Sequence, residues 1–177
     1  MKDVVIIGAG PSGIFTAVEM LRKGVKKDTY FAYEFAAIPG TLLCGWLSDR
    51  FFHGKRALPT ILFMALVLVF LVLYWAFIDN LTVVIIALIG IGFFIYGPVM
   101  LIGVQALDLA PKNAAGTAAG LTGFFGYFFG TFLLVNTIIG LVAQRAGWSW
   151  TFVLLIAACL LAILFMGMTL REEKSGR

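Results

Sequence analysis

Glu34 is the only ionisable side chain deep inside an apolar stretch of this 177-residue chain. A carboxylate in hydrocarbon is costly and is retained where it meets a cation, a substrate or a proton path. A second constellation is Gly45-Trp46-Leu47-Ser48-Asp49-Arg50-Phe51-Phe52-His53-Gly54-Lys55-Arg56, with the pattern G-x-x-x-D-R-x-x-x-G-K-R. Gly45 would let two helix ends approach. Asp49 could pair with a cation or a helix N-terminus in one state and release it in another, with Arg50, Lys55 and Arg56 as the available charges. The competing reading is a charged loop that only sets topology. A third is Gly8-Ala9-Gly10-Pro11-Ser12-Gly13, between the short apolar run Val4–Ile7 and the helical pattern Ile14–Lys23. Gly8, Gly10 and Gly13 would let a pyrophosphate approach a helix N-terminus. Glu34, 21 residues after Gly13, nearly fits the spacing of a ribose-binding acid.

The elements that must position these residues follow from composition. The chain is 62% apolar and 12% charged, with a mean hydropathy of +1.03. Soluble domains average about 45–50% apolar and about 25% charged residues. A soluble enzyme, a disordered chain and a nucleic-acid binder are therefore excluded. The net charge of +4 is unevenly spread: residues 1–28 hold eight charged side chains, the last seven residues hold five, and the 142 between hold nine. No basic face with interleaved aromatics points to nucleic acid. Cys44 and Cys159 lie in apolar runs and read as packing residues, implying neither a disulfide nor a metal. His53 has no ligand-like neighbours at helical spacing.

Five apolar stretches follow residue 28: Thr29–Leu47, Leu58–Phe77, Thr82–Leu107, Ala114–Ala143 and Ser149–Leu170. A hydrocarbon core of about 30 Å needs about 20 residues of helix. Continuous apolar runs without alternation favour helices over barrel strands. The expected fold is thus an all-α membrane protein with five spans and a short N-terminal strand–turn–helix fragment. The positive-inside rule places the Arg50/Lys55/Arg56 loop in the cytoplasm, which puts Asp79 outside, Lys112 inside, Arg145 outside and the tail inside. Trp46, Tyr74, Trp75, Trp148 and Trp150 fall near span ends and read as interfacial anchors. The N-terminus lacks the features of a secretory signal. Residues 1–28 are expected to be a truncated dinucleotide-binding fragment, because a lone strand and helix cannot bury a core; alternatively, Val4–Leu21 is a weak span.

The loop pattern resembles the loop signature of the major facilitator superfamily. Tyr33–Arg50, Ile95–Gly103 and Ala110–Gly120 narrow the resemblance to its organophosphate:inorganic-phosphate antiporter family, above all the branch handling glycerol 3-phosphate. It covers about five-sixths of the chain, from about Tyr30 onward. It implies that residues 29–177 are a partial transporter domain, helices 8 to 12 of twelve, in a bacterial inner membrane. The partners it implies are a phosphate ester, inorganic phosphate, the bilayer and an N-terminal half not contained here. It implies no cofactor and no covalent chemistry. It implies that Glu34 lies near the substrate and pairs with cations on absent helices, so this chain alone is expected not to perform exchange. A structural carboxylate is the other reading of Glu34. Tyr96, beside a kink expected at Gly97-Pro98, and Tyr127, on a helix with Gly116, Gly120, Gly123 and Gly130, match cavity tyrosines of the family. Read without the resemblance, both are interface or packing residues, and the glycines mark a face for close helix packing. Two other classes remain: a membrane-embedded sugar-phosphate sensor, and a flavoprotein joined to a membrane anchor. The start of the chain resembles FAD-dependent oxidoreductases.

Overall fold

A computed structural model describes residues 27–145 and 148–175. The expected strand–turn–helix of residues 4–24, with Gly8, Gly10 and Gly13, lies outside the described residues. Among those described, the regular structure is helical. Helix α1 spans Lys27–Arg50, α2 Ala57–Ala76 and α3 Leu81–Leu109. The fourth apolar stretch is divided into α4 (Ala115–Phe125), a π-helical segment (Gly126–Ile139) and α5 (Gly140–Arg145). Helix α6 spans Trp148–Ser175.

Local chemistry explains the boundaries. Pro59 sits in the first turn of α2, where a missing N–H costs nothing. The α2–α3 turn ends at Asn80, whose side-chain oxygen accepts from Thr82 N–H at 3.1 Å and caps α3. Helix α3 runs through Pro98 and stops at Ala110, before Pro111. The α1–α2 turn needs two successive left-handed residues, His53 (φ 52°) and Gly54 (φ 77°). Histidine tolerates that region better than bulky or β-branched residues, and glycine adopts it freely. The turn returns Gly54 N–H to the Ser48 carbonyl at 3.0 Å.

Helix α3 is the hub: α1 and α2 pack along it, and α6 packs on α2. One buried cluster joins Leu71, Tyr74, Val84, Ala87, Leu88 and Phe152. Another joins Cys44, Phe63 and Leu101. The Tyr74 and Phe152 rings lie 5.1 Å apart. Tyr74 is therefore no interfacial anchor: it is fully buried by its own neighbours, while Trp46, Trp75 and Trp150 are exposed. These contacts put successive loops at opposite ends of the bundle. The α1–α2 turn and the end of α3 share one end; the α2–α3 turn and the start of α6 share the other.

Among the described residues, three helices are long and apolar enough to cross a membrane: α2, α3 and residues Ser149–Leu170 of α6. The other two expected spans do not stand out as single long apolar helices among the described residues, for two physical reasons. Helix α1 has 24 residues, but Glu34, Pro39, Gly40 and its tyrosines dilute its apolar character. The stretch 114–143 changes its winding, and a π-helix rises less per residue than an α-helix of equal length. Leu160, Leu161, Leu164, Phe165 and Met168 of α6 are exposed, an outward apolar surface suited to lipid, which is as apolar as leucine.

Candidate functional site

A part-buried polar contact within the helical packing joins α1 to α3. The Tyr96 hydroxyl donates to Glu34 Oε2 at 3.3 Å, across 62 residues of chain. Both residues are half-buried. The contact depends on how closely the helix backbones approach. A Cβ at Gly92 would lie 2.6 Å from the Tyr33 carbonyl oxygen and 2.7 Å from its ring. A Cβ at Gly40 would collide with the Phe93 carbonyl. One at Gly97 would lie 2.6 Å from Cys44 Cβ and 3.2 Å from Phe63. Gly92 lies one turn before Tyr96, and Tyr33 directly precedes Glu34. The glycine seam therefore sets the distance between hydroxyl and carboxylate. Pro98 removes one N–H from the α3 ladder two residues beyond Tyr96.

At the end of the bundle, Arg56 gathers three partners. Its Nη1 donates to Asp49 Oδ1 and, at 3.1 Å, to the Ser48 hydroxyl. Its Nε donates to Asp108 Oδ2 at 3.2 Å. This guanidinium ties the α1 end, the turn and the α3 end together. Partial burial pulls the Arg56 pKa down, but the hydrogen bonds and charges of Asp49 and Asp108 outweigh it and hold the group above its ordinary value. The cation thus persists at any pH the protein meets. Arg50 and Lys55 form no ion pair among the described residues.

The sequence-predicted residues thus fall into separate groups. Glu34 and Tyr96 meet. Asp49 and Arg56 meet, whereas Arg50 and Lys55 lie outside their ion-pair cluster. Gly45 is not the point of closest approach: a Cβ there would meet only Met100 Cε, at 3.9 Å. That role falls to Gly40, Gly92 and Gly97. Tyr127 is 73% exposed on the π-helical segment, and no hydrogen bond among the described residues joins it to Glu34 or Tyr96. Nothing lies within 4 Å of a Cβ built at Gly116, Gly120, Gly123 or Gly130, so the expected close packing of that face is not made within the described chain. Sequence reasoning missed Asp108 and Ser48. The signal for Asp108 was present: it is the one carboxylate at the end of α3, and helix alternation puts that end beside Arg56.

The sequence profile of the Major Facilitator Superfamily matches residues 5–135. A glycerol-3-phosphate transporter of Bacillus subtilis is 58% identical over 152 residues, covering 82% of this chain and 33% of that protein. A glycerol-3-phosphate transporter of Haemophilus influenzae is 47% identical over 161 residues, covering 81% of this chain and 33% of that protein. A hexose-6-phosphate:phosphate antiporter of Salmonella typhimurium is 36% identical over 164 residues, covering 89% and 35%. The chain spans about a third of the length of these curated relatives, in their C-terminal part. The profile match opens inside the segment read as a dinucleotide-binding fragment, and none of the three relatives has a name that implies a flavin. The flavoprotein resemblance of Gly8, Gly10 and Gly13 therefore gains no support.

Proposed function

The chain belongs to the Major Facilitator Superfamily, and from that premise we propose that residues 29–177 are part of a phosphate-ester:phosphate antiporter whose preferred ester is glycerol 3-phosphate. The names of the relatives support the substrate class. The observation that carries the reading is the Tyr96–Glu34 hydrogen bond across the glycine seam. It places a carboxylate and a phenol between two helices of a mostly apolar bundle. The carboxylate would hold a cationic partner in the absence of ligand. A phosphate ester would compete for that cation, so binding is coupled to the release of Glu34. The phenol orients the carboxylate and offers its own O–H to a phosphate oxygen. Tyr127 would join this site from the fourth span. No covalent step is involved.

The same reading takes α1 and the divided 114–143 stretch as spans, for five crossings of a bacterial inner membrane. The Arg50/Lys55/Arg56 turn lies in the cytoplasm. The Ser48–Asp49–Arg56–Asp108 cluster acts as the gate at the cytoplasmic end. It holds α1, α2 and α3 as one unit that rocks against the remainder of the transporter.

The test is a chimera in which residues 29–177 replace the corresponding part of the Bacillus subtilis relative. Proteoliposomes containing it should exchange external labelled glycerol 3-phosphate for internal phosphate. Glu34→Gln should lower the exchange at least tenfold. A chimera that inserts normally and exchanges no phosphate ester would sink the proposal.

A further inference from the structure

Two polar contacts join the same pair of helices at separate levels of the glycine seam. At one, the Tyr96 hydroxyl of α3 meets Glu34 of α1. At the other, Arg56 reaches α1 through Asp49 and Ser48, and α3 through Asp108. Arg56 directly precedes α2, so its guanidinium is the tie between the ends of α1 and α3. From Glu34 to Asp49 along α1, and from Tyr96 to Asp108 along α3, the helical rise separates the two contacts by about 18–22 Å. Contacts that far apart ordinarily stabilise a protein independently.

The seam supplies a reason for these two to depend on each other. Along α1, Gly40 and Cys44 lie between them. Gly40 abuts the Phe93 carbonyl, and the fully buried Cys44 abuts Gly97. At these points α1 has no room to move toward α3, and the motion left to it is a tilt about the seam. Pro39 and Pro98 each take one N–H out of a helix ladder beside Gly40 and Gly97. Each helix is therefore least stiff where it meets the other, and the angle between them is set by what ties their ends. A tilt that lifts Asp49 from the tie also swings Glu34 past Tyr96. The Glu34–Tyr96 bond, at 3.3 Å, is already longer than the about 2.5–3.0 Å usual for O–H···O bonds, so a small tilt breaks it. Both contacts restrain one motion, and each forms at a lower cost once the other has fixed the angle.

We propose that Arg56 is a positioning residue for the Glu34–Tyr96 pair: by tying Asp49 to Asp108 it sets the tilt of α1 over α3 and holds the carboxylate within reach of the hydroxyl. The role deepens the reading of that pair as part of the substrate site, and its consequence for transport rests on that reading. Such coupling is reciprocal. A phosphate ester that releases Glu34 from Tyr96 would therefore loosen the Arg56 tie at the other level of the seam.

The test is a double-mutant cycle on the full chain in detergent micelles, read by unfolding and thus independent of phosphate exchange. In the unmodified chain Tyr96→Phe should raise the unfolding constant about fivefold, the net worth of one hydrogen bond. In an Arg56→Gln background it should raise it less than about twofold, because the bond is then already weakened. Asp108→Asn frees α3 while leaving Arg56 on α1, so it should remove the coupling too, although it costs less stability than Arg56→Gln. Asn80→Ala lowers stability at the start of α3 without touching the tie, and there the fivefold effect should persist. The double variant E172Q/E173Q removes the two acids near the end of α6 and should also leave it intact.

Infrared difference spectra between each background and its Tyr96→Phe variant read the Glu34 carboxylate itself. The carboxylate difference should shrink with Arg56→Gln and persist with Asn80→Ala. A fivefold effect in every background, or a carboxylate difference that Arg56→Gln leaves unchanged, would overturn the proposal and make Arg56 a clasp for the helix ends alone. Loss of the effect in Asn80→Ala as well would also overturn it, since general loosening would then explain the result. A chimera that exchanges no phosphate ester, beside an intact cycle, would strike the substrate reading and leave the positioning role standing.

Discussion

The α1–α3 seam and the α4–π–α5 arm contain six glycines each and have opposite surroundings. Along the seam, Gly40, Gly92 and Gly97 face backbone or packed side chains, and two of the three would clash with a carbonyl if they gained a Cβ. Along the arm, Gly116, Gly120, Gly123, Gly126 and Gly130 face open space. The arm's rings pack mainly on each other: Phe124 on Phe128 and Phe125 on Phe129, at 5.5 and 5.4 Å. Helix α4 has no buried residue. Small residues in lipid let backbones approach so that dispersion and polar contacts can form. The seam realises that gain within this chain, whereas the arm does not.

The sharpest way to break this contrast is one substitution in each region. Gly40→Val places branched carbon into the Phe93 carbonyl and must push α1 from α3. Overpacking costs about 1–3 kcal/mol, occasionally more, and a backbone obstacle belongs at the top of that range. Gly120→Ala meets nothing and should stay within about 0.5 kcal/mol, as expected away from packed features. Unfolding in mixed detergent micelles, followed by circular dichroism, measures both. Equal losses at the two sites would mean that the arm is packed as tightly as the seam.

A second test compares the ends of the seam. Arg56→Gln removes two ion pairs and a bond to Ser48. Arg56 is only 18% exposed, but Asp49 and Asp108 are 67% and 54% exposed, so solvent screens the pairs. The expected loss is about 1–2 kcal/mol by the same unfolding measurement. Asp108→Asn should cost less than Arg56→Gln, because Arg56 keeps Asp49 and Ser48. The reverse order would show that the α3 end, and not the guanidinium, organises the cluster. Replacement of Asn80 by Ala at the other end of α3 should cost about 1 kcal/mol through the lost cap.

Much of the helix layout was legible because polar punctuation in an apolar chain is conspicuous. The stretches Leu58–Phe77 and Thr82–Leu107 became helices Ala57–Ala76 and Leu81–Leu109. Asn80 and Pro111 are the kinds of residue that start and stop a helix. The division of 114–143 was not legible, since glycines among aromatics permit either winding. Nor could spacing separate the seam glycines from the arm glycines, because only the neighbouring helix makes one close and the other open. Tyr74 misled for the same reason: a tyrosine at a span end looks alike whether it faces headgroups or Phe152. Glu34 stood out as a lone carboxylate, yet its hydroxyl partner lies 62 residues away. Asp108 was overlooked because its partner, Arg56, lies 52 residues away.

The smallest predicted effect on stability separates the two tyrosines. Tyr96→Phe removes one hydrogen bond to Glu34 at 3.3 Å and should cost about 1 kcal/mol, the net worth of such a bond. The ring stays, so packing against α1 is kept. Tyr127 is 73% exposed, and Tyr127→Phe should leave the same unfolding curve within error. In the phosphate-exchange chimera the two should converge: both hydroxyls are proposed to meet the substrate, so both variants should raise its apparent KM. If Tyr127→Phe changes neither stability nor KM, the site is confined to the seam, and the arm contributes surface alone. If Tyr96→Phe lowers stability but leaves KM untouched, the Glu34–Tyr96 bond is a structural clasp between α1 and α3, and the substrate contact must lie elsewhere.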